Sequence, residues 1–186
     1  MKNIHTILIL STLILTGCYR YDEPEPDNEG KIIVLMYHRI TSQEAANLYE
    51  RSIENLKNDF EYLRKHNINV ISFNDLTVIK ESGKMPAGNS AIITFDDGDY
   101  SWFSLVQPLL KEYRYKATFF LWVHMIGRNS FMEWEDVEMM SYYTLEGGVH
   151  PFNFGSHSFS HAYLYTDRSK FQDFNEYNRF LDYEFG

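Results

Sequence analysis

The feature that most constrains the fold of this 186-residue chain is an alternation of short apolar runs with helix-like repeats, which begins at Lys31. Continuous apolar runs are typical of strands that a parallel sheet buries on both faces. The predicted strands cover residues 32–36, 69–72, 91–95, 117–123 and 152–156. Between and after them, apolar residues recur at spacings of three and four, which is typical of amphipathic helices. The predicted helices include Ile53 to Leu63, Phe103 to Tyr113 with a kink at Pro108, residues 133–143 and residues 171–185.

Strands that alternate with helices predict parallel βα units. Five strands are too few to close a barrel of the eight-stranded kind, which typically takes about 250 residues. The sequence therefore predicts one α/β domain with a parallel sheet.

Composition excludes several classes of function. The net charge is −9 and no basic stripe occurs, so we expect no nucleic-acid partner. A single cysteine, Cys18, excludes an internal disulfide framework and a cysteine-rich zinc site. Aromatic residues make up 17% of the chain, which fits either the stacking of sugar rings or an aromatic-rich core.

The N-terminus is typical of an export signal. Lys2 gives a positive start, and residues 4–15 form an apolar run that is too short for a transmembrane helix of about 20 residues. The stretch from Leu15 to Cys18 (LTGC) resembles the lipobox of bacterial lipoproteins, in which the cysteine carries lipid. A buried core cysteine is the alternative.

These features predict a division of the chain into three parts. We expect a lipoprotein signal peptide over residues 1–17, an acidic, proline-containing tether over residues 18–30 and a folded domain over residues 31–186. The mature protein would then be exported and anchored through lipidated Cys18 to the bacterial outer membrane or cell surface.

Polar residues follow three of the predicted strands. His38 follows the first, Asp96 and Asp97 follow the third, and His157 and His161 follow the fifth. Active sites of parallel βα folds gather at the carboxyl ends of strands, so these side chains are expected to face a shared rim.

The chemistry of this set fits a catalytic divalent ion. Two histidines four residues apart project from one face of a helical turn. With one carboxylate of the Asp96–Asp97 pair they offer two nitrogens and one oxygen, which leaves positions open for water and substrate. The other carboxylate can then accept a proton from water. A hairpin turn at Asp97-Gly98 and a merely polar helix face at the histidines are the alternatives.

Several segments carry a resemblance to a known family. TFDDG at residues 94–98 and HSFSH at residues 157–161 resemble the first two motifs of the polysaccharide deacetylases, the family-four carbohydrate esterases. The remaining matches, in the family's order, are LMYH at residues 35–38, PLLK at residues 108–111, KATFF at residues 116–120 and MEW at residues 132–134. Together with the lipobox, the MYH segment resembles the lipoproteins that deacetylate poly-N-acetylglucosamine.

The resemblance implies a fold, a metal and a reaction. The fold would be a distorted (β/α) barrel. One divalent metal, zinc first with cobalt, nickel or iron as alternatives, would be held by Asp97, His157 and His161. Asp96 would be the base that activates the attacking water, which removes the acetyl group from N-acetylglucosamine units of a polysaccharide. His38 and Trp134 would contact the substrate, with structural roles as the alternative for both.

The chain departs from the family pattern at its far end. The family's later motifs, which help the oxyanion hole and supply a general acid, do not occur before Gly186. We therefore expect a barrel that is incomplete at the C-terminal end. Two alternatives follow: a truncated, non-catalytic remnant that binds metal or glycan, and a chain that an unknown partner chain completes.

Overall fold

The computed structural model of the chain describes residues 30–86, residues 88–161 and Arg179. In chain order the strands are β1 (Ile32–Tyr37), β2 (Arg39–Thr41), β3 (Glu50–Ser52), β4 (Asn69–Ile71), β5 (Ser90–Asp97), β6 (Ala117–Leu121) and β7 (Phe152–Ser156). The helices are α1 (Ile53–Lys65), α2 (Phe73–Ser82), α3 (Gln107–Tyr113) and α4 (Trp134–Ser141). A π-helical segment, Trp102–Val106, leads into α3, and a 3₁₀ segment, Val123–Met125, follows β6.

The main sheet is parallel throughout, and its strand order is β1-β5-β6-β7. The short strand β4 also pairs with β5, through Ser90–Ile92, which pair with β1 as well. A strand has only two edges, so β4 and β6 share the edge of β5 opposite β1. This parallel α/β sheet confirms the predicted fold class, with five strands in the described part of the main sheet.

Several local predictions need correction. The apolar strand β1 is not buried on both faces: Ile33, Val34 and Met36 are 47%, 53% and 60% exposed. Among the described residues β1 pairs with β5 alone, so its other edge lacks the neighbour that would cover these side chains. The residues Asp96 and Asp97 are the last two of β5 rather than the residues that follow it.

Other differences come from elements without a strong sequence pattern. The strands β2 and β3 form a separate two-stranded parallel sheet of three residues each, too short to show a periodicity. Helix α2 is not among the predicted helices; it buries no residue completely and begins at a capping box formed by Ser72 and Asp75. Pro108 lies in the first turn of α3 directly after the π-helical segment Trp102–Val106, so the predicted helix from Phe103 to Tyr113 is divided into two helix types just before the proline.

The core is built on a ladder of aromatic rings. Phe95 on β5, Phe119 on β6 and Phe154 on β7 occupy matching register positions, and each neighbouring pair of rings stacks with centroids 5.3 Å apart. The rings of Trp102 and Phe152 also contact Phe119, at 5.3 and 5.8 Å. Several of the described aromatic residues therefore fill the core.

The export predictions fall outside the described residues. The signal peptide over residues 1–17 and Cys18 lie there, as does the tether except for Gly30 and the predicted helix over residues 171–185 except for Arg179, which is helical and exposed. In the described part of the chain, no helix has the length and apolar character needed to cross a membrane.

Removing the central ring of the aromatic ladder is expected to destabilise the chain strongly. Phe119 is fully buried, so Phe119→Ala should lower the free energy of unfolding by about 3–5 kcal/mol. Phe119→Leu, which leaves a smaller cavity, should cost less. Tyr142→Ala, at a side chain 70% exposed, is the control and should stay within about 0.5 kcal/mol. Urea unfolding followed by circular dichroism measures all three, and equal losses at Phe119 and Tyr142 would contradict the assignment of the core.

Candidate metal centre

The carboxyl ends of β5, β6 and β7 meet at one edge of the sheet. Asp97 pairs with Leu121, and Leu121 pairs with Ser156, the last residue of β7. His157 directly follows Ser156, and its backbone N–H donates to the carbonyl of Leu121 at 2.7 Å. The parallel register therefore brings Asp97 and His157 to the same level of the sheet.

Asp97, His157 and His161 form a cluster that could hold one metal ion, since one ligand atom from each lies within 4.8 Å of the others. The Oδ1 atom of Asp97 is 3.5 Å from Nε2 of His161 and 4.0 Å from Nε2 of His157. The two imidazole rings stack with centroids 4.8 Å apart and planes 13° from parallel. These are the three residues that the resemblance to the family implied as metal ligands.

The buried oxygen of Asp97 tests whether the cluster fits a cation. Oδ1 of Asp97 is buried and has no hydrogen-bond partner among the described residues. An ionised carboxylate oxygen only accepts, and a buried acceptor without a partner costs free energy. A divalent ion between this oxygen and two imidazole nitrogens would satisfy it, so the donor set fits a metal of the zinc type.

The two histidines do not lie on a helical turn, and this prediction was wrong. Residues 157–161 are an irregular loop in which Ser158 and His161 have φ of 63° and 56°, outside the range of a right-handed helix. The hydroxyl of Ser158 accepts a hydrogen bond from the backbone N–H of His161 at 2.9 Å. The loop thus brings the rings together by folding back rather than by helical spacing.

The turn after β5 depends on glycine. Asp97 has φ of 96° and Gly98 has φ of 99°, in the region that favours glycine. A Cβ atom at Gly98 would also lie 2.7 Å from Cδ1 of Ile126. The next residue, Asp99, forms an isolated bridge with Phe131 instead of starting a hairpin partner to β5, so the hairpin alternative is wrong.

Asp96 lies beside the cluster rather than in it. Its Oδ2 atom is 3.4 Å from Nε2 of His157. The interaction with the Asp96 carboxylate raises the pKa of His157 above its usual value, against the opposing effect of partial burial. Asp96 thus contacts one member of the three-residue cluster without belonging to it.

The other two predicted residues lie outside the three-residue cluster. His38 follows β1, packs its ring edgewise against Tyr49 at 5.3 Å, and accepts at its carbonyl from Nε1 of Trp102 at 2.8 Å. It lines a cavity of about 480 Å³ along β1 and α1. Trp134 begins α4 and is 52% exposed, which excludes a role as a core aromatic. Contact of either residue with substrate stays a prediction.

Trp122 is a site residue that the sequence reasoning missed. It directly follows β6, and its ring lies 4.8 Å from the ring of His161. The apolar run predicts a strand through residue 123, which places Trp122 inside the strand instead of at the rim. A predicted strand that ends at Leu121 would place Trp122 among the residues at the rim of the sheet.

Comparison with known families and proteins supports one assignment. The sequence profile of the family described as polysaccharide deacetylase matches residues 83–182, just over half of the chain. The matched range contains Asp96, Asp97, His157 and His161.

Individual relatives cover most of this chain but only part of their own length. The chain is 27% identical over 162 residues to the poly-beta-1,6-N-acetyl-D-glucosamine N-deacetylase of Staphylococcus epidermidis, which covers 78% of this chain and 54% of that protein. A protein of the same name from Staphylococcus aureus is 26% identical over 147 residues, or 69% and 50% of the two chains. The chain thus spans about half the length of these curated relatives.

Solved structures show the same fold. The structure of IcaB from Ammonifex degensii superposes with a TM-score of 0.59 at 25% identity, over 70% of this chain and 54% of that one. The Streptococcus pyogenes deacetylase PplD in complex with acetate gives a TM-score of 0.61 at 20% identity, over 72% and 59%. The likeness to PplD supports the fold alone.

The cluster is expected to bind one divalent metal ion per chain. A ligand that binds only the folded chain stabilises it by about 4 kcal/mol at a thousandfold excess over its dissociation constant, so zinc should raise the melting temperature. His161→Ala should weaken zinc by about 100-fold or more, since losing a group that merely supports a ligand already costs about 10–100-fold. Competition with a chromophoric chelator measures the affinity.

The control is His150→Ala, an exposed histidine outside the cluster that contacts the carbonyl of Ser141. It should bind zinc as the unaltered chain does. Equal affinity of the His161→Ala variant and the unaltered chain would remove His161 from the ligand set.

Proposed function

Because the chain belongs to the polysaccharide deacetylase family, we propose that it is a metal-dependent deacetylase that hydrolyses the N-acetyl group of N-acetylglucosamine units in an exported or cell-wall polysaccharide and releases acetate. The observation that carries the proposal is the buried Oδ1 of Asp97, which has no hydrogen-bond partner in the described part of the chain and faces two imidazoles. The names of the staphylococcal relatives favour a poly-β-1,6-N-acetylglucosamine as the polymer.

Asp97, His157 and His161 would hold the metal, with zinc first and cobalt, nickel or iron as alternatives. When bound, such an ion would supply positive charge that polarises the acetyl carbonyl and lowers the pKa of water. Two nitrogens and one oxygen leave coordination positions open for substrate and water.

Asp96 would act as the base. Its distance of 3.4 Å to Nε2 of His157 leaves its carboxylate beside the ligand set, where a reacting water would lie within reach. The water oxygen bonds to the acetyl carbon as Asp96 accepts a proton from that water. The C–N bond then breaks, and the same proton passes to the leaving amine nitrogen. Acetate and a free amine on the sugar are the products.

The groups that would contact the glycan lie farther out. Exposed Trp134 offers an apolar face to a sugar ring. His38 lines the cavity along β1, where a sugar hydroxyl could bond to its imidazole. We assign both residues to substrate binding within this proposal.

The alternative function is binding of metal or glycan without turnover. Metal binding without acetate release by the unaltered chain would establish this alternative.

Export and a lipid anchor at Cys18 complete the proposal. They are supported by the apolar run over residues 4–15 and by the LTGC stretch that ends at Cys18. An exported polymer would then meet an enzyme held at the membrane on the same side.

Replacing the base is expected to separate binding from chemistry. Asp96→Asn keeps the shape of the side chain but cannot accept the proton, so acetate release should fall about 10²–10⁴-fold while zinc affinity stays close to that of the unaltered chain. An enzymatic acetate assay on poly-β-1,6-N-acetylglucosamine oligomers measures turnover. Glu138→Gln, at an exposed position of α4, is the control and should leave turnover unchanged. Full turnover in the Asp96→Asn variant would refute the role as base.

The lipid anchor is tested at a single sulfur atom. Cys18→Ser cannot form the thioether to lipid, so the variant should move from the membrane fraction to the soluble fraction of the exported material. Labelling with a radioactive fatty acid should also disappear. The Ser11→Ala variant, within the predicted signal, should keep both properties, and a Cys18→Ser protein that still carries label would exclude this anchor.

A further inference from the structure

Trp122 lies next to all three proposed ligands. Its side chain contacts His161, and the peptide unit that joins it to Leu121 contacts Asp97 and His157. Its indole ring lies 4.8 Å from the His161 ring with 36° between their planes, and its other aromatic neighbour is Phe131, edge-on at 6.0 Å. The ring is therefore held between one proposed ligand and the loop before α4.

The peptide unit between Leu121 and Trp122 joins the other two ligands. Its carbonyl, from Leu121, accepts the backbone N–H of His157 at 2.7 Å, and its N–H, from Trp122, donates to the carbonyl of Asp97 at 3.0 Å. One peptide unit thus sets the backbone distance between Asp97 and His157.

His161 differs from the other two ligands in how it is placed. Asp97 ends β5 and His157 directly follows β7, so sheet pairing fixes both. His161 lies five residues beyond the end of β7, in an irregular loop. Its ring orientation therefore depends on side-chain packing, and an indole face against the imidazole limits the rotations that a free side chain would make.

We propose that Trp122 is a positioning residue that holds the His161 imidazole in its metal-binding orientation. The inference rests on the proposed metal centre and adds to it a residue that touches no metal. Groups that orient ligands in this way typically change metal affinity by about 10–100-fold when they are removed.

A matched pair of variants separates the aromatic face from simple space filling. Trp122→Phe keeps a flat ring against His161 and removes the indole N–H, which is buried without a hydrogen-bond partner among the described residues. Trp122→Met fills a volume similar to phenylalanine but has no flat face. We expect zinc affinity close to that of the unaltered chain for Trp122→Phe and a loss of about 10–100-fold for Trp122→Met.

The measurements are made on the full chain with metal alone. Chelator competition gives the zinc affinity, and the visible absorption of bound Co²⁺ reports the ligand geometry directly. The Co²⁺ bands should shift in intensity and position for Trp122→Met and stay unchanged for Trp122→Phe.

A second aromatic stack controls for general loss of stability. Tyr143 stacks on Phe152 with centroids 5.4 Å apart, at the opposite end of β7. Tyr143→Leu should lower the melting temperature without altering zinc affinity or the Co²⁺ spectrum. Should Trp122→Met not fold, Phe131→Leu removes the edge contact behind the Trp122 ring and gives the same comparison, with weaker zinc binding expected.

The outcomes are distinguishable. Unaltered zinc affinity and Co²⁺ spectrum in both Trp122→Met and Phe131→Leu would overturn the positioning role and leave the metal centre intact. An equal loss in Trp122→Phe and Trp122→Met would also overturn it. Absence of metal binding by the unaltered chain would overturn the proposed metal centre and this inference with it.

Discussion

The parallel pairing of β5, β6 and β7 is the constraint on which the candidate site depends. It aligns Asp97 with Leu121 and Leu121 with Ser156, so that residues distant in sequence end at one level of the sheet. The same register stacks Phe95, Phe119 and Phe154 below them. Core and site therefore share one hydrogen-bond pattern, and a slip of one residue would turn both the rings and the carboxylate to the wrong face.

Backbone strain is concentrated where this sheet ends. Six described residues other than glycine have positive φ, and three of them, Asp97, Ser158 and His161, belong to the site. Such conformations cost on the order of 1–3 kcal/mol each and persist only where the surrounding structure imposes them. Here the Leu121–Trp122 peptide and the Ser158 hydroxyl impose them through hydrogen bonds. The clustering of strain at three neighbouring positions is independent support for a site there.

Sequence reasoning reached the parallel sheet from apolar periodicity, and the rule that sites lie at strand ends brought together His157, His161 and one carboxylate of the Asp96–Asp97 pair. The resemblance to the family then named Asp97 as that carboxylate. Sequence reasoning failed where conformation depends on distant contacts. The loop of His157 to His161 is shaped by the end of β6, which spacing alone does not reveal. The exposure of β1 likewise depends on which strands pair with it, and the apolar composition of β1 does not reveal that pairing.

The proposed metal binding and the proposed contact of His38 with glycan involve different parts of this fold. The three proposed ligands need only β5, β6, β7 and the loops at their carboxyl ends, all within the described residues. His38 instead belongs to the wall of the cavity along β1, where Ile33 and Met36 are exposed. That wall is held by Asp59, which accepts from the Tyr37 hydroxyl and from the Arg51 guanidinium. Whatever covers β1 can therefore change the proposed substrate binding while the three proposed ligands keep their places, so metal affinity and acetate release test separate parts of the proposal.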